Sequence, residues 1–316
     1  MSAATVNVLV FYGVCYSMHK VINIIIFKLC LLLAPIAYCY AEIPESSLAF
    51  VANVDGNWDL FAVDEDGTNL QRLTSTPYDE RDPSWSLDRQ KIVYSTSDGQ
   101  LNIIDVKTKE HQQLPVKTKG NPKTSPSFSP DGKRIAFVEF IPGRMDDTDL
   151  MIFDLETKIC KTVLDQYGPQ FWPAWSPDGS RLIYANTHCS VDCGRIIQEL
   201  WITDTQGGYA RQLLMTNALS QQPVWSPDER KIAFASDKGG NFDIWVLSLD
   251  GWKLEQMTTD EGMDVSPAWS PDGDEIAFIS TKSGKMEIWV KDIKGGELRR
   301  VQPFGDKEIE CKDVAW

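Results

Sequence analysis

Cysteine and histidine, the side chains that most readily ligate metals or attack substrates, are sparse in this chain of 316 residues, with seven Cys and three His. Cys189 and Cys193 stand four apart in "THCSVDCGR", close enough to bridge within one loop if export delivers them to an oxidising compartment. Free thiols are the alternative. Metal binding with the adjacent His188 is a third reading, although two cysteines and one histidine without a second cluster make a poor zinc site. Asp146, Asp147 and Asp149 offer oxygen ligands but lack the fixed glycine and closing glutamate of a calcium loop. Beyond residue 41 the histidines are His111 and His188, and neither a G-x-S-x-G elbow nor a Walker loop occurs. The expectation is a protein without catalytic residues, cofactor or metal. Carboxylate-only chemistry on a glycoside stays open, because it needs only two acids at a suitable separation.

The elements that would position these residues are legible from internal repetition. "PAWSPDG" at Pro173–Gly179 returns unchanged at Pro267–Gly273, with relatives "PSWSLDR" from Pro83, "PSFSPDG" from Pro126, "PVWSPDE" from Pro223 and a terminal "DVAW" ending at Trp316. The aromatic anchors Trp85, Phe128, Trp175, Trp225, Trp269 and Trp316 are spaced by 43, 47, 50, 44 and 47 residues. After each of the first five comes a short apolar run such as Ile135-Ala136-Phe137, then another such as "DLMIFDL", then a more polar segment that ends near "LT", as in Leu73-Thr74. Short runs of β-branched and aromatic residues separated by Gly, Asp and Pro read as strands. Four strands per unit and six units predict an all-β fold, a six-bladed β-propeller of four-stranded antiparallel blades. Ser-Pro-Asp-Gly is then the turn between the first two strands, with Pro fixing φ, Asp accepting backbone N–H groups and Gly taking a left-handed conformation. Arg89 and Glu229 replace that glycine in two copies and should strain their turns by roughly 1 kcal/mol if the geometry is kept.

The repeat opens on a second-strand motif, "LAFVANVDGNWDLFAVD" from Leu48, and ends on a first-strand motif, Asp313 to Trp316. The C-terminal strand is therefore expected to complete the first blade and close the ring. Residues 1–41 differ in character. They carry Lys20 and Lys28, no acid, an apolar run and small residues before Glu42, which is the pattern of a cleaved secretion signal. Met18 is an alternative start. A membrane anchor over residues 21–41 is the competing reading. The propeller spans 42–316. Without the two lysines of the leader the net charge of −14 becomes −16, which argues against nucleic acid or an anionic membrane as partner.

The "WSPDGxxIAF" and "IWVxDxxG" signatures resemble the propeller repeats of the TolB family and of WD-like repeats in exported bacterial proteins, over about residues 46–316. The resemblance implies the fold and a periplasmic or secreted protein. The α/β domain that precedes the propeller in that family is not visible before the first strand here. Propellers resembling this one also serve prolyl-oligopeptidase-type hydrolases, which need a further domain, and oligogalacturonate lyases, which need a histidine-rich manganese site.

In such blades the first–second and third–fourth turns share one face, and the second–third and fourth–first loops share the other. The second face holds the variable segments, including two long loops, 139–150 and 186–200. Tyr78, Glu80, Arg81, Arg144, Tyr167, Phe171, Gln221 and Asp264 are the expected partner contacts on it, and Cys189 with Cys193 the disulfide candidate. The functional expectation is a monomeric, non-catalytic scaffold for an envelope protein, touching a membrane only through an uncleaved N-terminal segment. The alternative is a carbohydrate-binding or carbohydrate-acting propeller using acids at the central channel.

Overall fold

The computed structural model describes residues 47–144, 147–166, 168–189 and 196–316. The expected signal or anchor at 1–41, the alternative start at Met18, Tyr167 and Cys193 lie outside the described residues. Twenty-four strands, numbered β1 to β24 along the described chain, form six four-stranded antiparallel sheets. Blade 2 begins at β4 (Glu80–Trp85), blade 3 at β8 (Lys123–Phe128), blade 4 at β12 (Gln170–Trp175), blade 5 at β16 (Ser220–Trp225) and blade 6 at β20 (Asp264–Trp269). Each of these is the innermost strand of its sheet and lines the channel. Blade 1 is ordered β24 (Cys311–Ala315), β1 (Leu48–Val54), β2 (Asn57–Val63), β3 (Gln71–Arg72), so the last strand of the chain supplies its inner edge.

A blade has neighbours on both faces, so its second strand has no solvent side. That is why these strands read as continuous apolar runs rather than alternating ones. Ile135, Ala136, Phe137 and Val138 are all fully buried. The core accordingly falls into wedges between blades. One joins Ala136, Val138 and Leu150 of blade 3 to Trp175, Leu182 and Tyr184 of blade 4. The anchors fill these wedges, and two of them tie to the blade before: the Trp175 indole donates to the Ser127 carbonyl at 3.1 Å and the Trp269 indole to that of Val224 at 3.3 Å. Burying roughly 200 Å² of one indole contributes up to about 5 kcal/mol.

The Ser-Pro-Asp-Gly turns form as expected, and the serine is part of the device. Ser176 donates to Asp178 at 2.5 Å and accepts the Arg181 N–H at 3.0 Å, while Asp178 accepts the Ser180 N–H at 3.0 Å. These bonds, led by that from Ser176, pull the Asp178 carboxyl down to about 2. Arg89 and Glu229 keep the left-handed geometry, at φ 57° and 61°, beside 69° at Gly179. Both side chains gain a contact across a blade joint. Arg89 lies 3.9 Å over the Trp85 ring and donates to the Ser47 carbonyl of blade 1, and Glu229 stands 3.6 Å from Arg181 of blade 4.

The long second–third connections turn out to be partly strand. In blade 4, Arg181–Cys189 pairs with Ile196–Asp204 over nine residues each, so the described part of the insertion lengthens a hairpin. In blade 3, Thr148 pairs with Phe140 and Asp149 with Glu139.

Ring closure rests on Ala49, Val51 and Ala52 pairing with Ala315, Lys312 and Cys311. Deleting Lys312–Trp316 exposes that edge and removes Val314 from the wedge between blades 6 and 1. The truncated protein should lose its cooperative melt or aggregate on size-exclusion chromatography; melting like the full chain would refute closure.

Candidate partner-binding face

All six inner strands carry the same irregularity. The third residue, or its equivalent, is left-handed: Asp82, Ser125, Trp172, Gln222, Ser266 and Asp313 have φ between 51° and 53°. The ladder register shifts across each of these positions. Proline follows in five of them and has no N–H to offer a ladder, which suits an edge strand facing a channel. The bulge turns each of these residues into a channel of about 650 Å³. Hydrogen bonds then run from blade to blade around it. Asp313 accepts the Asp82 N–H at 3.4 Å, Asp82 accepts the Ser125 N–H at 3.0 Å, and Gln222 accepts the Ser266 N–H at 2.8 Å.

The expected channel acids behave differently. Glu80 and Asp264 open their inner strands but are fully buried at blade joints, so neither presents its carboxylate to the surface. Thr74 donates to Glu80 at 2.9 Å while accepting the Leu60 N–H at 2.7 Å, and Thr76 donates to Glu80 at 2.6 Å. In blade 5 Thr258 likewise accepts the Ile244 N–H at 2.9 Å, but it donates to Asp243 of its own blade at 3.3 Å. At Leu73-Thr74 the "LT" that closes the repeat is thus a latch between blades 1 and 2. Asp88 lines the channel from its turn and Asp82 and Asp313 from the inner strands; spacing did not single out the last two, and the residue before each repeated proline was the available signal for Asp82.

The other expected contacts stay at the surface. Tyr78 is 45% exposed and Arg81 is exposed. Arg144 reaches Asp147 at 3.2 Å and Asp165 at 3.0 Å. Phe171 sits between Phe140 and Trp172, with ring centroids 6.1 and 5.3 Å away, and Gln221 donates to Gln198 at 2.5 Å. Ile196, Met215 and Met263, at the tips of second–third and fourth–first connections, add exposed apolar area to the same face. A rigid face with aromatic, methionine and arginine side chains is suited to recognition. Among the described residues, no three His, Cys, Asp or Glu converge as a metal site, and no helix is long and apolar enough to cross a membrane.

The TolB beta propeller domain family matches residues 96–251 and 200–312. The Tol-Pal system protein TolB of Francisella tularensis subsp. mediasiatica is 34% identical over 110 residues, 34% of this chain and 25% of that protein. The uncharacterized peptidase YuxL of Bacillus subtilis is 33% identical over 112 residues, 34% of this chain and 16% of that one. The chain thus spans a quarter or less of these two relatives. The solved TolB from Acinetobacter baumannii is similar with a TM-score of 0.73 and 21% identity, covering 86% of this chain and 66% of that one, a likeness of fold.

Enclosure of the acids makes stability depend on pH. Burial is the largest cause in each case, raising Glu80 from 4.5 to about 7 and Asp313 and Asp264 from 3.8 to about 6. A carboxyl raised on folding stabilises fully below its unfolded pKa, and that contribution is lost as pH rises through the folded value. The protein should therefore melt higher at pH 5 than at pH 8. Thr74 and Thr76 donate to different oxygens of Glu80, so Glu80→Gln keeps one of these bonds and turns its amide towards the other hydroxyl; by removing the buried charge it should raise the melting temperature at pH 8 and flatten the profile between 5 and 8. A Gln variant that melts lower at both pH values would remove this account.

Proposed function

The chain belongs to the TolB beta propeller domain family, and we propose that it is a non-catalytic, exported scaffold that binds a protein partner in the bacterial envelope. The observation that carries this reading is the loop face, where exposed Tyr78, Ile196, Met215 and Met263 stand with Arg81 and Arg144 on a rigid ring. Aromatic, Met and Arg side chains are the ones enriched at interface centres. The name of the Francisella relative, a Tol-Pal system protein, supports a protein partner. Residues 1–41 would direct export to the periplasm and be removed, and the propeller would act as a monomer. The carbohydrate alternative has less behind it, because Glu80 and Asp264 are enclosed at blade joints.

A C-terminally tagged chain, crosslinked mildly in its native host, is expected to retain one envelope protein. Tyr78→Ala combined with Met263→Ser should reduce the captured amount about tenfold without lowering the melting temperature. Equal capture by this variant, or no envelope protein at all, would overturn the reading.

A further inference from the structure

At three blade joints an arginine guanidinium covers the anchor tryptophan on the face of the Ser-Pro-Asp-Gly turns. Arg134 of blade 3 lies 4.6 Å over Trp175, Arg181 of blade 4 lies 5.2 Å over Trp225, and Arg89 lies 3.9 Å over Trp85. At the joint of blades 5 and 6 the repeat aligns Lys231 with Trp269, which still fills the wedge. Only between blades 2 and 3 are both partners reduced: the repeat places Lys91 and Phe128 there, and Lys91 is exposed.

The consequence is an open groove of about 690 Å³. Its floor is apolar, with Phe128 and Ile103 nearly buried and Leu155 beside them. Its rim carries Asp88, Asp105, Glu110 and Asp131 against Lys91 and Lys158, and Arg134 pairs with Asp131 at 3.2 Å, which leaves a net excess of one negative charge. Leu87, which stands where other blades have proline, is 75% exposed at the edge. An apolar floor under a rim with an excess of carboxylates suits a long cationic side chain, whose alkyl stem packs on the floor while a guanidinium bonds carboxylates in pairs.

We propose that the groove between blades 2 and 3 receives an arginine side chain from an extended segment of a partner protein, its alkyl stem on the apolar floor and its guanidinium among the rim carboxylates. The carboxylates of the rim supply the charge, and Leu87 packs the flanking residue of the segment. This site lies on the turn face, opposite the loop face, so it is independent of the scaffold reading above and can fail without it.

The probe is a capped Gly-Arg-Gly tripeptide titrated into the full chain by NMR at low salt, with the citrulline tripeptide as the uncharged isostere. Shifts should centre on His111, Gly132 and Lys158, and weaken with salt. The citrulline peptide and Glu110→Gln should each bind several-fold more weakly. Lys91→Arg with Phe128→Trp installs the pair found at other joints; it should keep the melting temperature or raise it and bind the peptide about tenfold more weakly. Absent shifts, equal binding of citrulline, or shifts centred on the loop face around Tyr78 would overturn the proposal. So would unchanged binding by Glu110→Gln, which tests the rim even if the double variant does not fold.

Discussion

A propeller blade has two apolar faces and cannot bury either by itself, so every blade depends on its neighbours for a core. The anchor residue resolves this. Its position at the end of the inner strand points it into the wedge where two twisted sheets diverge, and only a large ring fills that space. Trp175 sits among Ala136, Val138 and Leu150 of the blade before it, and Trp225 among Ile183 and Leu200. Stability is consequently shared between joints, and each joint is a nearest-neighbour term of the kind found in repeat proteins. A circular arrangement adds one requirement that a linear repeat lacks: the last joint has to be made as well. Val314, contributed from the end of the chain, joins Phe50, Phe61 and Ile288 in the wedge between blades 1 and 6, and the strand that carries it supplies the inner edge of blade 1.

Most of this architecture was legible in the sequence because its signals are local and repeated. The Ser-Pro-Asp-Gly turn, the anchor, and the apolar second strand each recur within a dozen residues, so six imperfect copies reinforce one reading. The left-handed turns at Arg89 and Glu229 were legible for the same reason, since a neighbour's glycine marks the geometry that a bulky residue has to adopt. What their side chains gain was not. The Ser47 carbonyl and Arg181 lie in other blades, at a distance in sequence that no local pattern encodes.

The site was less legible, and for a related reason. Whether an acid at the start of an inner strand faces solvent or a joint depends on the fourth–first loop before it. Thr74 and Thr76 turn Glu80 inward, where the carboxylate is enclosed, and the less conspicuous Met215 and Met263 join Tyr78 and Ile196 as exposed residues of the face. The channel lining was obscured by the bulge. Strict alternation along an inner strand gives no reason for one residue to turn into the channel, but a left-handed residue ahead of a proline breaks the alternation at Asp82 and, without the proline, at Asp313. These two carboxyls belong to adjacent blades, with burial and mutual repulsion raising Asp313 to about 6, and Asp82 is raised as well. The backbone N–H groups of Ser125 and Asp82 take up one oxygen of each, so the ring of inter-blade bonds holds charge that the apolar channel wall would otherwise disfavour.

Individual character enters such a ring where the repeat departs from itself. Identical blades would present six equivalent joints and a symmetric channel, with no reason for a partner to choose one orientation. Here the departures are unevenly distributed. Blade 4 has the lengthened hairpin, and its inner strand puts Trp172 where the others have Asp, Ser or Gln. Phe140 and Phe171 continue from that indole towards the loop face, giving blades 3 and 4 an aromatic file. On the opposite face, blades 2 and 3 have the reduced anchor pair and the groove it leaves. Each departure is tolerated because the other joints keep the ring intact, so one blade can lose some packing without unfolding the rest. A closed repeat therefore separates stability, spread over all six joints, from recognition, concentrated at the few blades that differ.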